Sequence, residues 1–92
     1  MTIQIATAAA RNEAIRLNEL CAEAHEAADQ FGFTKAERIV LWEMIMEYSD
    51  MITRYAEFVP ANGLTKLCGA HDRASNYMAA TIRSHRARRM FS

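Results

Sequence analysis

The sequence contains few of the residues that interrupt helices or form tight turns. Its 92 residues include three glycines and one proline. β-Branched residues are fewer than the helix-favouring Ala, Leu, Met, Glu and Arg. A chain of this length forms one domain around one core. We therefore expect a single all-α domain over residues 1–92, a compact bundle of three to four helices.

Long apolar runs are also missing. No stretch approaches the ~18 consecutive apolar residues that a membrane-spanning helix needs. Residues 1–10 are apolar but contain no basic leader, so they do not resemble a secretion signal. Because Cys21 and Cys68 are the only cysteines and no export signal is present, we expect reduced thiols in a cytoplasmic protein.

The first half of the chain predicts two long helices that form an antiparallel hairpin. Apolar residues recur at spacings of three and four, which predicts an amphipathic helix over residues 6–30 that ends at Gly32. Its inner stripe is Ala10, Ala14, Leu17, Cys21, Ala24, Ala28 and Phe31. Glu13 and the other charged residues are expected off this stripe.

The second helix is predicted from its start signal. Thr34 is a suitable N-cap, and Glu37 three residues later completes a capping box. An apolar stripe follows at Leu41, Ile45, Tyr48, Ile52, Tyr55 and Val59. Pro60 is expected to end the helix.

This second helix is apolar over much of its circumference, which is typical of a helix that is central to its fold or lies in a subunit interface. It has more bulky side chains than two short neighbouring helices can cover. We therefore expect a homodimer. Its predicted interface contains Trp42, Met46, Tyr48, Met51 and Tyr55.

The last third of the chain predicts two further elements. A short helix at residues 64–68 is expected to break near Gly69. Asp72 can then cap a basic C-terminal helix over residues 73–89. The predicted inner face of that helix is Ala74, Met78 and Ile82.

The formal net charge is zero, but the charge is unevenly distributed. Residues 1–33 carry two basic and five acidic side chains, and residues 34–60 carry three and five. Residues 61–92 carry six basic side chains and one acidic side chain. A basic segment of this kind favours contact with an anionic partner. The alternative is a solvated helix end, where cations are favourable near the C-terminus.

The predicted break and the basic helix together suggest a helix-turn-helix. In such a motif the apolar face packs on the core while exposed Arg and Asn side chains reach base edges and phosphates. The leading hypothesis is a small transcriptional regulator that binds duplex DNA and is not an enzyme. Its candidate DNA-binding residues are Lys66, Arg73, Asn76, Arg83, Arg86, Arg88 and Arg89. The arginines of the basic helix are expected to form one cationic ridge.

Two motifs carry a resemblance to a known family: Thr34-x-x-Glu37-x-x-Val40-Leu41, and Asn76-x-Met78-x-x-x-Ile82-x-x-x-Arg86-x-Arg88. The first resembles the start of the effector domain of response-regulator winged helix-turn-helix proteins, and the second resembles their recognition helix. The resemblance spans about residues 34–90. It implies that Arg83, Arg86 and Arg88 face the duplex. The β wing of the family has no counterpart, so a helical variant is expected.

Two other functions are open. The acidic first half could engage a basic protein surface, as a phage or plasmid protein-binding inhibitor does, for example an anti-CRISPR protein or an anti-activator. The acidic residues concerned are Glu13, Glu19, Glu23 and Glu26. The segment Leu64-Thr65-Lys66-Leu67, followed by Ala70 and Ala74, resembles phage proteins that sequester cyclic nucleotides. That resemblance implies a cyclic-nucleotide sponge.

Metal binding and catalysis have little support in the sequence. Cys21 with His25, and Cys68 with His71, have helical spacing and could supply four zinc ligands. The alternative is that the cysteines are small core residues and the histidines are partly exposed. A glycine-rich phosphate loop and a nucleophile elbow are both missing from the sequence. We therefore expect no catalytic residues, no metal and no other cofactor.

Overall fold

The protein is a bundle of three helices. The computed structural model describes the backbone of residues 2–91 and the side-chain exposure of residues 8–90. The helices are α1 (Thr2–Phe31), α2 (Lys35–Arg54) and α3 (Gly63–Phe91). No strand occurs within residues 2–91, and the prediction of an all-α fold is confirmed. None of these helices is both long and apolar enough to cross a membrane.

The end of α1 follows the sequence signal. Gly32 has a φ of 68°, the left-handed conformation that glycine adopts without steric cost. The backbone N–H of Phe33 donates to the carbonyl of Ala28 at 3.0 Å and closes the last turn. Arg38 adds a second closure, because its Nη2 donates to the same carbonyl at 3.0 Å. The predicted end of α1 is confirmed, whereas its start lies at Thr2, four residues earlier than predicted.

The buried face of α1 is shifted from the predicted stripe. Leu20 and Ala27 are buried beside the expected Ala24 and Ala28. Glu13 is buried as well, so its prediction as a residue off the stripe is wrong. Burial of a carboxylate requires bonded partners, and α2 and Arg16 supply them, as described below.

The start of α2 matches its predicted capping box. Thr34 lies in an extended conformation, and Glu37 N donates to its Oγ1 at 3.1 Å. In return, Thr34 N donates to Oε1 of Glu37 at 2.8 Å. The predicted end at Pro60 is wrong, because α2 stops at Arg54. Proline disfavours helix at the residue before it, which is Val59, so the end of α2 six residues before Pro60 is not set by the proline.

The largest departure from the sequence prediction lies in α3. One continuous helix runs from Gly63 to Phe91, through Gly69 and Asp72. The short helix at residues 64–68, the turn and the cap at Asp72 are therefore wrong. Packing explains the continuity, since one side of this helix is buried both before and after Gly69. The buried residues are Leu67, Ala70, Ala74, Met78 and Thr81.

All three helices pack against one another. Contacts between Arg38 and Asp29 near the connection, and between Tyr48 and Glu13 farther away, make α1 and α2 an antiparallel hairpin. α3 runs antiparallel to α2 and parallel to α1. Small alanines on α1 and α3 allow close approach around the fully buried side chains of Leu20, Leu41, Tyr48 and Leu67.

Candidate interaction surfaces

The residues predicted to bind DNA are all exposed on α3. They do not form one ridge. Residues five positions apart, such as Arg83 and Arg88, lie about 140° apart around a helix of 3.6 residues per turn. The predicted single cationic ridge is therefore wrong.

Three of these arginines contact their own bundle. Nη1 of Arg73 pairs with Oε2 of Glu47 on α2 at 3.0 Å. The guanidinium of Arg86 lies over the ring of Phe31, 5.2 Å from its centroid. Arg89 donates to the backbone carbonyl of Gln30 at 3.4 Å. Part of the positive charge that the helix-turn-helix prediction assigned to DNA contact is therefore engaged by groups of the bundle itself.

A basic end is nevertheless present, where α1 ends, α2 begins and α3 ends. His85 on α3 contacts Glu37 on α2 at 2.8 Å, which brings the two termini together. Asp29 and Glu37 are paired there with Arg38 and His85, respectively. The basic end is defined by Lys35, Arg38, Arg83, Arg86, Arg88 and Arg89.

The five residues predicted to form a dimer interface differ in their exposure to solvent. Tyr48 is 0% exposed and lies in the core, so its assignment to an interface is wrong. Met51 and Tyr55 are half-buried and pack against the same core. Trp42 is half-buried and its ring lies 4.6 Å from that of His25 on α1. Met46 is 58% exposed, more than the other four, which are buried or half-buried.

A surface groove of about 690 Å³ is lined by residues of α2. Its apolar residues are Ile39, Trp42, Met46 and Met51. Ile39 is 49% exposed and was missed by the sequence prediction. Its spacing of seven from Met46 would have identified it, since residues seven apart share a helix face. We define the outer face of α2 by six residues: Lys35, Ile39, Trp42, Glu43, Met46 and Asp50.

The charge of the residues that line the groove changes sign along α2. Lys35 and Arg38 lie at its N-terminal end, whereas Glu43, Glu47 and Asp50 follow toward the C-terminal half. Arg54 closes the groove at the end of the helix. The apolar residues therefore lie between charges of opposite sign, which is the pattern of an interface with an apolar centre and a polar rim.

A second polar feature connects all three helices inside the bundle. The hydroxyl of Tyr48 on α2 donates to Oε2 of Glu13 on α1. Arg16, one turn along α1, donates to Oε1 of Glu13 at 3.1 Å. The other guanidinium nitrogen of Arg16 lies 3.1 Å from Nδ1 of His71 on α3. An arginine only donates, so Nδ1 of His71 accepts this bond. The cluster is Glu13, Arg16, Tyr48 and His71, with Cys68 at its edge.

The cluster stabilises the neutral phenol and the charged guanidinium. Burial, followed by the bond to Glu13, raises the pKa of Tyr48 above its ordinary value. The contact with Sγ of Cys68 at 3.9 Å and the charge of Glu13 raise the pKa of Arg16. No buried polar side-chain atom in the described residues lacks a partner. The arrangement is suited to holding the helices in register.

The four possible zinc ligands do not form one site. His25 faces Trp42, whereas His71 bonds Arg16. Burial raises the pKa of Cys21, which favours its protonated thiol over a metal-binding thiolate. Within the residues that the structure describes, no three His, Cys, Asp or Glu side chains come together as a metal-binding group.

Comparisons of the chain with protein families, with curated proteins and with solved structures each found no match.

Proposed function

We propose that this protein is a non-enzymatic protein-binding module that engages a helical partner through the outer face of α2. The observation that carries the proposal is the exposure of Ile39 and Met46, 49% and 58%, on one side of a helix whose opposite side is buried. Trp42 lies between them in sequence and lines the same groove.

The chemistry of this face suits a partner helix. Amphipathic helices bind apolar grooves through side chains at spacings of three, four and seven, and Ile39, Trp42 and Met46 provide the matching spacings. Methionine adapts its unbranched side chain to different partners. Flanking charges of both signs, such as Lys35 and Asp50, set the direction in which a partner lies. A protein-binding inhibitor, an anti-activator and an assembly adaptor all work through a surface of this type.

Site-specific photo-crosslinking tests the proposal. A photoreactive amino acid is placed at Met46 and, as a matched control, at Leu64, which is 51% exposed on α3 outside the groove. Irradiation in bacterial cells is expected to give a protein adduct from position 46 and not from position 64. Adding Ile39→Glu to the position-46 chain should remove the adduct. Equal adducts from both positions, or none from position 46, would contradict the proposal.

Duplex DNA binding is a second candidate, favoured by the collection of six cations at the basic end. Arg83 and Arg88 are exposed there, and helix ends with arginine contact phosphates readily. The test is retention of the chain on random duplex DNA over a salt series. Steep loss of affinity with salt, together with loss of retention in Arg83→Ala/Arg86→Ala, supports this candidate. Absence of retention at about 50 mM salt removes it, because phosphate contacts are strongest at low salt.

A further inference from the structure

We propose that the occupant of the outer face of α2 is a second copy of this chain, with the two α2 helices packed antiparallel around a twofold axis. The inference rests on the proposed function and names its partner. It is carried by the order of charged and apolar residues along the face.

The face is complementary to itself in one register. In an antiparallel pair with twofold symmetry, each residue faces the residue that lies equally far beyond the axis. An axis between Trp42 and Glu43 sets Ile39 opposite Met46, so that the two exposed apolar side chains cover each other. The same axis sets Lys35 opposite Asp50, a pair of opposite charge, and Trp42 opposite Glu43. Each of these pairs occurs twice in the dimer.

Other arrangements lose these pairs. An axis between Met44 and Ile45 sets Ile39 opposite Asp50 and Lys35 opposite Arg54, so the apolar pair and the pair of opposite charge are both lost and two cations lie together. A parallel pair sets Lys35 beside Lys35 and Asp50 beside Asp50. Like charges in an interface are unfavourable, so the antiparallel register around Trp42 is preferred.

The four residues that form the apolar pair and the charge pair of this register lie outside the buried core of the monomer. Ile39 and Met46 are exposed, and the core lies on the opposite side of α2. Lys35 and Asp50 are exposed too, and neither forms an ion pair with a described side chain. Variants at these positions should therefore fold, which far-UV circular dichroism can verify.

The expected dimer is modest in affinity. α2 has 20 residues, so its face is about 30 Å long at 1.5 Å per residue. One helix face of this length gives a small interface, and small interfaces associate weakly. We expect a dissociation constant in the micromolar range, which sedimentation equilibrium resolves.

Charge exchange provides the decisive experiment. Sedimentation equilibrium is run on the full chain from about 5 to 500 µM, a range that spans micromolar dissociation constants. Lys35→Glu and Asp50→Lys should each weaken the dimer roughly fivefold to tenfold, because each replaces two attractive pairs with two repulsive ones. The double variant should restore the wild-type dissociation constant. Met46→Glu should be monomeric, and Leu64→Glu should behave as wild type.

Two results would overturn the proposal. A wild-type chain that stays monomeric at the highest concentration removes the second copy as occupant. A dimer that the charge exchange does not restore removes the register. The photo-crosslink at position 46 separates the two proposals: a monomeric chain that still forms an adduct with another protein retains the proposed function, whereas a monomeric chain without any adduct loses both.

Discussion

The buried phenol of Tyr48 donates a hydrogen bond to the buried carboxylate of Glu13, which lies 35 residues earlier in the chain. The Tyr48 hydroxyl also lies 3.3 Å from the backbone carbonyl of Glu13. Because a buried carboxylate without partners is costly, the contact is satisfied in only one register of α1 against α2. The pair therefore selects the helix alignment that leaves the outer face of α2 exposed.

Replacement of Tyr48 by Phe tests this role. The variant keeps the ring but removes the donor, and it leaves Glu13 with Arg16 as its side-chain partner. We expect a loss of about 1–3 kcal/mol in the free energy of unfolding, measured by urea denaturation, because a buried acceptor becomes undersatisfied. Tyr55→Phe, at the half-buried tyrosine that follows α2, is the control and should change stability by less than about 0.5 kcal/mol. Equal losses of unfolding free energy in the two variants would show that the hydrogen bond from Tyr48 to Glu13 does not stabilise the fold.

The raised pKa of Tyr48 predicts a limit to stability in base. The folded protein favours the neutral phenol, so this contribution to stability is complete below the ordinary tyrosine pKa of about 10 and is lost as the pH rises above it. In an alkaline titration, tyrosinate absorbance from Tyr48 should appear only together with loss of helical circular dichroism. That delayed step should be missing in Tyr48→Phe. Ionisation of all three tyrosines with full retention of helix would contradict the prediction.

The capping box predicts a loss of stability in acid. The backbone N–H of Thr34 and then the bond from His85 lower the pKa of Glu37, so the folded protein favours its carboxylate. This stability is present above the ordinary glutamate pKa of about 4.3 and is lost as the pH falls through the lower folded value. Glu37→Gln should therefore lower the free energy of unfolding near neutral pH by less than about 1 kcal/mol. Thermal denaturation detects this loss as a lower midpoint temperature.

The difference between wild type and Glu37→Gln should shrink as the pH falls below about 4.3 and disappear below the lowered folded pKa of Glu37, where the carboxyl is protonated in both states. Glu23→Gln is the control, since Glu23 is an exposed acid on α1, outside the cap and outside the outer face of α2. A difference that stays constant from neutral pH to acid would assign the effect to packing instead of to charge.

Two glycine substitutions test the continuity of α3. Gly69 lies inside the helix, and an added Cβ there meets nothing within 4 Å. Gly69→Ala should raise the free energy of unfolding by about 0.5–1 kcal/mol, because alanine favours helix. Gly32→Ala should lower it by about 1 kcal/mol or more, since Gly32 has a positive φ. Urea denaturation measures both, and a destabilising Gly69→Ala would indicate a break in the helix.

The parts of the fold that local chemistry decides were predictable. Gly32 ends α1, and Thr34 with Glu37 begins α2, because these signals act within one turn of the chain. The inner residues of α2 were also predictable, since spacings of three and four place them on one side: Leu41, Ile45, Tyr48 and Ile52.

The candidate site was only partly predictable. Trp42 and Met46 were identified from their excess of apolar surface, and both line the groove. Ile39 was missed, and Tyr48, although predicted on the inner stripe of α2, was also assigned to the dimer interface and lies in the core. A helix that is apolar on most sides does not indicate which side the rest of the chain covers. Only the positions of α1 and α3 decide that.

The sequence by itself determined that the chain is helical, that the connection between α1 and α2 begins at Gly32 and that the last third of the chain is basic. Each of these depends on neighbouring residues or on composition. Tertiary packing decided that α3 continues through Gly69 and that Glu13 is buried. A single glycine costs a helix about 1 kcal/mol, which burial of Leu67, Ala70 and Ala74 on either side outweighs. A carboxylate enters a core only when distant partners reach it, and Tyr48 and Arg16 do so once the helices are packed.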